Sequence, residues 1–478
     1  MTPGRSAHVD TFARDRLPPP GMQPDYLFTL PALQFPPQLN AGVELLDRAI
    51  ERGWGERPCI LAPGMRWTYA ELRRQADAIA HVLVRDMGLV PGQRVLLRAP
   101  NNPMLAACWF AVMKAGAIAV TTMPLLRAKE LVQVIAKAQV THALCDASLA
   151  AELETARGRC PGLAQVRFFH GDAPDRLELA MARHPGPFAA VDTAADDTCL
   201  LAFTSGTTGE PKATMHFHRD VMAICLCWPK HVLRANADDV FIGSPPLGGT
   251  LRKCVSAGEA LPAATRVQWK AATGLEAIDG IGSTEMLHIF ISADEEHARA
   301  GATGTPEPGY QACILDPDGR PLPRGAVGRL AVRGPTGCRY LDDARQAQYV
   351  QDGWNLTGDA YLEDEDGWFR YQARTDDMII SAGYNIAAPE VEAVLLEHAA
   401  VAECAVIGVP DEERGQIVKA FVVLRAGHAP DAATVKALQD YVKRSVAPYK
   451  YPRAIEFVAD LPRTATGKLQ RFRLKTAP

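Results

Sequence analysis

The sequence predicts an α/β fold, in which a large N-terminal α/β domain with mostly parallel sheets and a β-hairpin or barrel-like part precedes a small α+β C-terminal domain. Helix and strand patterns alternate from about residue 40 to residue 210, which favours a parallel sheet with helices on both faces. Asp-Gly turns then occur between strand-like segments, as hairpins require. A chain of 478 residues is also long enough to form two or more domains.

The first half of the chain supplies the alternating elements. Thr68 and Glu71 form a capping-box pattern, which predicts a helix that continues to Gly88. The further elements predicted here are a strand over 94–98, a helix over 104–115, a strand over 117–121, a helix from near Arg127 and a buried strand over 199–203.

Hairpins and a small C-terminal unit follow. The Asp-Gly turns within 314–320 and 363–369 each predict a β-hairpin. Near the C-terminus we expect strands close to 402–409 and 419–424, a helix over 432–445 and a last strand close to 455–458.

Composition narrows the possible partners and compartment. The net charge of −4 gives no sign of a nucleic-acid or anionic-membrane partner. The first twenty residues carry three arginines and two aspartates without an apolar core, unlike a secretory signal. The most apolar stretch, 104–120, is interrupted by Lys114 and Gly116, so no membrane span is expected. The eleven cysteines lack metal-ligand spacing, and we expect reduced thiols in a cytoplasmic protein.

Residues 204–212 form a loop rich in hydroxyl side chains and glycines that ends in a lysine. Glycine allows backbone N–H groups to approach a ligand closely, hydroxyls donate hydrogen bonds, and lysine adds charge, so the loop can bind a polyphosphate. It is not a Walker A loop, because Gly206 and Gly209 are too close together. A polar surface turn is the alternative interpretation.

Five further motifs follow in a definite order. They are 254–262 with its Gly-Glu pair, 280–286 with a threonine beside a glutamate, Thr-Gly-Asp at 357–359, Arg-Thr-Asp-Asp at 374–377, and 462–468, which ends in a lysine. Each is weak alone, since a Thr-Gly-Asp is usually a turn and a lysine near a C-terminus is usually solvated. The six in this order are a strong signal.

The six motifs and their order resemble the acyl-adenylate-forming superfamily, which includes acyl-CoA synthetases, adenylation domains of peptide synthetases and luciferases. The stretches 123–130, 251–259 and 283–291 are most similar to benzoate-CoA and 2-aminobenzoate-CoA ligases. The resemblance covers nearly the whole chain. It implies an adenylation domain over 1–375 and a mobile C-terminal lid domain over 376–478. It also implies an ATP-dependent aryl-acid:CoA ligase that acts through an aryl-adenylate and releases AMP and pyrophosphate.

The resemblance also implies residue roles. The β- and γ-phosphates of ATP would be bound by Thr204, Ser205, Gly206, Thr207, Thr208, Gly209 and Lys212. Adenine would be framed by Gly258, Glu259, Ala260, Asp279, Gly280, Ile281 and Gly282, with Ser283 in the same nucleotide-binding set. Thr284 would donate to a phosphate, Glu285 would bind Mg²⁺, Asp359 would bind the ribose, and Arg374 would donate beside it.

Lys468 would contact the carboxylate and the α-phosphate, and a frayed tail is the alternative interpretation of this lysine. No general base is needed, because the acid is already ionised at neutral pH. For the second half-reaction, with coenzyme A, Asp376 would be the hinge of the C-terminal domain, and the pantetheine tunnel would be lined by Ser381, Ala382 and Gly383.

The aromatic substrate is less well defined. His288 and Ile289 match positions that line the aryl-acid pocket, although a lone histidine is more often structural. Benzoate-specific members often carry a lysine near the end of the Asp-Asp-Met run, where this chain reads Asp377-Met-Ile-Ile-Ser381. This difference favours the 2-aminobenzoate group. We expect a monomer or homodimer.

One departure from the family lies between Thr250 and Leu251, where stretches that are separated in relatives abut. Roughly sixty residues are lacking, enough for about two βα units. We expect unpaired strand edges, an exposed apolar face and an acyl pocket without one wall. An inactive remnant, a sequence error and an active ligase with a rebuilt pocket all remain open. So do a nucleotide-binding protein without turnover and a stand-alone module that loads a carrier protein.

Overall fold

The computed structural model describes residues 4–204, 211–242, 251–257, 261, 263–375, 378–381, 384–411, 413–446, 448–463 and 469–475. The first part contains β1 (Pro58–Ala62), β2 (Met65–Thr68), α1 (Tyr69–His81), β3 (Arg94–Arg98), α2 (Pro103–Lys114), β4 (Ile118–Thr122), α3 (Ala128–Ala138), β5 (His142–Asp146), α4 (Ala150–Arg157), β6 (Gln165–Phe169), α5 (Leu177–Met181), β7 (Thr198–Thr204), β8 (Lys212–Phe217), α6 (His218–Leu226) and α7 (Trp228–His231).

A six-stranded sheet organises this part in the order β6-β5-β3-β4-β7-β8. All its pairs are parallel except β7–β8, which is antiparallel. Side chains of β3 alternate between two cores, with Val95 and Leu97 on the face of α1 and α2 and Leu96 on the face of α3 and α4. The predicted parallel sheet with helices on both faces is confirmed.

The predicted start of α1 is also confirmed. The Thr68 hydroxyl accepts from the Glu71 backbone N–H at 3.2 Å, and the Glu71 carboxylate accepts from the Thr68 N–H at 2.7 Å. This reciprocal pair satisfies two N–H groups that the first helical turn leaves unpaired. A π-helical turn, Val82–Asp86, continues α1, so the helical segment ends two residues before Gly88.

The middle of the chain contains β9 (Cys254–Ala257), α8 (Ala263–Thr273), β10 (Ala277–Gly282), β11 (Ile289–Ser292), β12 (Thr305–Pro306), β13 (Gln311–Leu315), β14 (Val327–Arg333), α9 (Gln346–Tyr349), β15 (Val350–Gln351), β16 (Trp354–Glu363) and β17 (Phe369–Arg374). One sheet has the order β12-β11-β10-β9, and a second has the order β13-β14-β16-β15 with β17 also on β16. Both predicted hairpin turns are present. Leu322 N–H donates to Ile314 O across the first turn, and the second joins the antiparallel pair β16–β17.

The C-terminal part contains β18 (Met378–Ser381), β19 (Tyr384–Ala387), α10 (Ala388–Leu396), β20 (Val401–Asp411), β21 (Gly415–Leu424), α11 (Ala432–Ser445), β22 (Ala454–Phe457) and α12 (Arg471–Lys475). A three-stranded sheet, β20-β21-β22, packs against α10 and α11. Ile379 and Ile386 of the β18–β19 hairpin belong to this same core. The predicted order of two strands, a helix and a last strand is confirmed.

The missing segment between Thr250 and Leu251 is called the break below. The parts of the chain on either side of it are joined by a buried clamp, which consists of β8, Asp220 and residues 339–341. Met215 N–H donates to Arg339 O at 2.7 Å, and Leu341 N–H donates to Ala213 O at 2.9 Å. The Arg339 guanidinium contacts the Asp220 carboxylate at 2.7 Å, and both side chains are completely buried. Such a pair is costly to break, because each charge would be left without its partner.

The break itself leaves apolar surface uncovered, as predicted. β9 lies at the edge of its sheet, paired only with β10 among the residues that the structure describes. Phe241 is 69% exposed and Val267 is 67% exposed, and Val240, Ile242 and Val255 are also exposed. Exposed apolar side chains on both sides of the break indicate surface that a further part of the chain would normally cover.

In the described ranges, every helix is too short or too polar to cross a membrane.

Candidate active site

The phosphate-loop prediction falls on the β7–β8 hairpin. Thr204 and Lys212 are paired across it, so both residues lie at the same end of the two strands. The Thr204 hydroxyl is buried and has no hydrogen-bond partner among the described residues. Ser205, Gly206, Thr207, Thr208 and Gly209 lie outside the described residues.

Lys212 lies in a buried polar cluster with two tyrosines. Its Nζ donates to Tyr340 Oη at 2.9 Å and to Tyr349 Oη at 2.8 Å. It also lies 4.0 Å from the centre of the Tyr349 ring, within range for a cation–π interaction. The ammonium group is therefore fixed at the base of the predicted loop.

Glu285 completes this cluster. Tyr340 Oη donates to Glu285 Oε1 at 2.5 Å, and the same oxygen lies 3.6 Å from Lys212 Nζ. Burial, together with the negative charge of Glu285, raises the pKa of Tyr340 far above its ordinary value. The tyrosine is therefore a neutral donor that bridges the lysine and the carboxylate.

The segment around Glu285 is shaped by close backbone packing. A Cβ on Gly282 would lie 2.5 Å from His288 O, so only glycine fits this position of β10. After Gly282 the chain turns, with Thr284 O accepting from Leu287 N–H at 3.2 Å and Ser283 Oγ accepting from Met286 N–H at 3.2 Å. Leu287 has a φ of 66°, a left-handed conformation that is strained for leucine.

The predicted adenine segment begins in β10. Burial raises the pKa of Asp279 to about 6, and the Gly280 N–H that its carboxylate accepts at 2.9 Å offsets this only in part. Gly280 is also tightly packed, since a Cβ there would lie 2.8 Å from Ile289 Cγ2. Ile281 packs at the margin of a core cluster. Gly258, Glu259 and Ala260 lie outside the described residues.

Asp359 and Arg374 face each other on β16 and β17. They are directly paired in the strand register, and Arg374 Nη1 donates to Asp359 Oδ1 at 2.8 Å. Burial raises the pKa of Asp359, while Arg374 opposes that shift. Gly358, within β16, has a φ of 76°, and a Cβ there would lie 2.7 Å from Arg374 Nη2, so this position of the strand favours glycine.

These motifs meet in space. A cavity of about 10 Å³, large enough for one water, is lined by residues of both the 283–286 and the 355–357 segments. Its lining includes Ser283, Glu285, Tyr349 and Thr357. The structure thus brings Lys212, Glu285 and the Thr-Gly-Asp motif to one place.

The predicted aryl-pocket residues lie beside a tryptophan. The His288 ring centre is 5.4 Å from that of Trp228, and His288 Nδ1 is buried without a partner among the described residues. Burial lowers the pKa of His288, which favours the neutral imidazole. Ile289 is buried in a small core cluster with Trp228, Leu233 and Ile278.

The predicted tunnel and hinge are only partly described. Ser381 ends β18, is 2% exposed, and has a buried hydroxyl without a partner in the described part of the chain. Ala382, Gly383, the hinge Asp376 and Lys468 lie outside the described residues.

Tyr340 and Tyr349 were missed by sequence reasoning. They are separated from Lys212 by more than a hundred positions, and neither lies in one of the six motifs. A lone tyrosine carries no pattern that distinguishes a lysine ligand from a core aromatic residue. The pairing of residues 339–341 with β8 brings Tyr340 to the lysine, and Tyr349 reaches it from the end of α9.

The β7–β8 hairpin thus carries a lysine that meets the Glu285 carboxylate, and Asp359 pairs with Arg374 on the neighbouring strands β16 and β17. The family model described as AMP-binding enzyme matches residues 46–248 and 243–339. The model described as AMP-binding enzyme C-terminal domain matches residues 390–468. The chain belongs to the AMP-binding enzyme family and is an AMP-forming acid–thiol ligase by class.

Similar proteins agree with this assignment. The benzoate–CoA ligase of Thauera aromatica is 30% identical over 95% of this chain and 99% of its own length. The mitochondrial acyl-coenzyme A synthetase ACSM5 of Mus musculus is 31% identical over 86% of this chain and 84% of its own length. The crystal structure of the anthranilate CoA ligase AuaEII in complex with anthranoyl-AMP has a TM-score of 0.84 at 29% identity, and covers 94% of this chain and 98% of that one.

The comparisons also locate the break. The two matched segments of the family model meet at residues 243–248, next to the predicted gap. The alignment with the Thauera aromatica enzyme runs over 520 positions, whereas 95% of 478 residues is about 454, so about 66 positions lack a residue of this chain.

Proposed function

We propose that this chain is an ATP-dependent ligase that joins an aromatic carboxylic acid to coenzyme A through an aryl-adenylate, with release of AMP and pyrophosphate. The observation that carries the proposal is the buried cluster in which Lys212 and Glu285 meet at the base of the β7–β8 hairpin. A cation and a carboxylate fixed together suit the recognition of a polyphosphate with its metal ion.

The phosphate-binding set consists of Lys212, the Thr204 hydroxyl and the loop residues Ser205, Gly206, Thr207, Thr208 and Gly209. The unpartnered Thr204 hydroxyl supports this assignment, because a buried hydroxyl without a partner loses hydrogen-bond energy until a ligand supplies one. Thr284 is assigned to the same phosphates as a donor.

Glu285 is the residue that would hold Mg²⁺. Magnesium in nucleotide sites typically takes one or two carboxylates and completes its shell with phosphate oxygens and water. A single carboxylate therefore fits, and no group of three or more possible metal ligands occurs in the described ranges. The ion would neutralise charge on the departing pyrophosphate.

The nucleoside would be bound by two separate segments. The Asp359 carboxylate, oriented by Arg374, would accept from the ribose hydroxyls. The adenine is assigned to Gly258, Glu259 and Ala260 together with the segment from Asp279 to Ser283. The glycines of that segment keep the backbone close to its neighbours.

Lys468 is assigned to the acid carboxylate and the α-phosphate. It would stabilise the negative charge that accumulates when one anion attacks another. The acid is ionised at neutral pH and needs no general base.

The thioester step is assigned to a rotated C-terminal domain. We place the domain boundary at 375/376, with Asp376 as the hinge, which agrees with a C-terminal core that begins at Ile379. Ser381, Ala382 and Gly383 would line the pantetheine path.

The acid is proposed to be 2-aminobenzoate or benzoate. Support comes from relatives that act on benzoate or contain anthranoyl-AMP, and from His288, whose neutral ring has an unpaired buried nitrogen for a polar ring substituent. Ile289 is assigned to the same pocket.

The test is exchange of radiolabelled pyrophosphate into ATP with each acid present, followed by thioester formation with coenzyme A. Lys468→Ala should abolish exchange but spare thioester formation from added aryl-adenylate. Gly383→Leu should spare exchange but abolish thioester formation from added aryl-adenylate. Equal loss of both half-reactions in Lys468→Ala would show that the assigned role is wrong.

A second candidate is a nucleotide-binding protein without turnover. The exposed apolar side chains at the break favour it, because they indicate an incomplete large domain. Binding of ATP in equilibrium dialysis without acid-dependent pyrophosphate exchange would select this second candidate.

A further inference from the structure

Residues 338–341 run beside β8 in an extended conformation. The backbone groups of Arg339 and Leu341 bond to β8 on one side. Successive residues of an extended chain direct their backbone groups to alternate sides, so those of Cys338 and Tyr340 point away from β8. Both of these residues are only 1% exposed, so their outward-facing backbone groups need partners within the protein.

A single side chain, that of Gln346 at the start of α9, supplies partners for these outer groups. Its Oε1 accepts from Tyr340 N–H at 2.8 Å, and its Nε2 donates to Cys338 O at 3.1 Å. The same Nε2 donates to Met22 O at 2.8 Å, and Gln346 is 2% exposed. A carboxamide carries the same kinds of donor and acceptor as a peptide group, so Gln346 bonds to this segment as a neighbouring strand would.

The residue held in this way is the one that bridges the charges of the active site. The Tyr340 hydroxyl contacts Lys212 at 2.9 Å and donates to Glu285 at 2.5 Å. Gln346 and Tyr349 lie three positions apart on α9 and therefore share one face of the helix. Helix α9 thus acts on the cluster twice, because Tyr349 contacts the lysine directly and Gln346 fixes the backbone of Tyr340.

We propose that Gln346 is a positioning residue, which holds the Tyr340 hydroxyl between the lysine and the carboxylate of the cluster and thereby sets the affinity for ATP with its metal ion. The inference rests on the proposed function, in which Lys212 binds the phosphates and Glu285 binds Mg²⁺. Without the carboxamide, Tyr340 N–H and Cys338 O would be buried without these partners, which is costly. The segment would then shift to regain hydrogen bonds, and the hydroxyl would move with it.

The experiment combines equilibrium dialysis of ATP with Mg²⁺, pyrophosphate exchange and urea unfolding. Gln346→Met keeps a similar side-chain length but removes both hydrogen-bonding groups. It should raise Kd and KM for ATP by about fivefold to tenfold, on the scale of one lost hydrogen bond, and leave kcat within about twofold. Gln346→Asn withdraws the amide by one methylene and should weaken ATP binding in the same direction, so the test stays decisive if the first variant does not fold.

Gln38→Met is the matched control. Gln38 accepts from Arg5 N–H at 2.9 Å and donates to Arg5 O at 3.1 Å and to Asp192 O at 3.2 Å, which is the same pattern of three bonds to backbone groups. The control should lower the free energy of unfolding but leave Kd for ATP within about twofold. An equal rise of Kd in Gln38→Met would overturn the proposal, because ATP binding would then respond to any loosening of the fold.

A double-mutant cycle tests the route through the tyrosine. In a Tyr340→Phe background the hydroxyl is already absent, so Gln346→Met should change Kd for ATP by less than about twofold while it still lowers the free energy of unfolding. The same fivefold to tenfold loss of affinity in both backgrounds would overturn the proposal, since Gln346 would then act independently of the hydroxyl.

Failure of the ligase function gives a different result. A wild type that binds ATP without acid-dependent exchange, together with weaker binding by Gln346→Met, would refute the ligase function and support the role of Gln346. Binding by Gln346→Met as tight as that of the wild type would overturn this role whether or not exchange occurs. Absence of ATP binding by the wild type would overturn both.

Discussion

Replacement of Tyr349 by phenylalanine isolates one hydrogen bond in the polar cluster. The change removes the hydroxyl that lies 2.8 Å from Lys212 Nζ, while the aromatic ring and its 4.0 Å cation–π contact can remain. A hydrogen bond to a charged group contributes about 1.5–3 kcal/mol. If Lys212 binds the phosphates of ATP, kcat/KM for ATP should fall by about tenfold to about 150-fold.

Tyr340→Phe should have the larger effect. Its hydroxyl contacts Lys212 at 2.9 Å and donates to Glu285 at 2.5 Å, so both charged groups lose a partner. The loss should appear as a higher KM for ATP and as a changed Mg²⁺ dependence, because Glu285 would be free to reorient.

The assay is pyrophosphate exchange at varied ATP and Mg²⁺, with urea unfolding of each variant in parallel. Tyr310→Phe is the control, because it removes a buried neutral hydrogen bond to Thr336 at 3.1 Å outside the cluster. It should lower the free energy of unfolding by about 1 kcal/mol without changing KM for ATP. If Tyr349→Phe behaves like this control, the tyrosines are only structural and the reasoning is refuted.

Three further outcomes are expected. Glu307 is buried without a hydrogen-bond partner in the described ranges, and burial raises its pKa from 4.5 to about 9. The Glu307 carboxyl therefore ionises at lower pH in the unfolded chain than in the folded chain, so the free energy of unfolding falls as pH rises through that interval. The advantage of Glu307→Gln over the wild type in urea unfolding should grow between about pH 5 and pH 8. A difference that stays constant with pH would contradict the assignment. Asp220→Ala should lower the free energy of unfolding by about 3–5 kcal/mol, because it leaves Arg339 buried without its partner, whereas a loss below 1 kcal/mol would mean that solvent reaches the guanidinium. Insertion of the roughly sixty residues of a benzoate–CoA ligase between Thr250 and Leu251 should raise the melting temperature by covering apolar surface, and an unchanged or lower value would show that the exposed face does not destabilise the chain.

Local sequence signals predicted much of the fold. The capping box of Thr68 and Glu71, the strand Arg94–Arg98 and the helix Ala432–Ser445 depend on neighbouring residues and were predicted at or near their observed bounds. The pairing of Asp359 with Arg374 was also foreseen as a neighbouring donor and acceptor, since both residues belong to recognisable motifs.

Long-range geometry could not be predicted in the same way. The contact of Tyr340 with Lys212 depends on residues 339–341 pairing with β8, and that of Tyr349 depends on where α9 lies, and no local pattern encodes either. The roles of the residues outside the described ranges, including Lys468, stay predictions.

The buried clamp between β8 and residues 339–341 has a consequence for the covalent chain. The backbone bonds of Met215 and Leu341 and the Asp220–Arg339 pair connect the two sides of the break without using the peptide bond between them. A protease cut at the break would therefore leave two fragments that remain associated. The same position would be a natural place to express the protein as two separate polypeptides that assemble with each other.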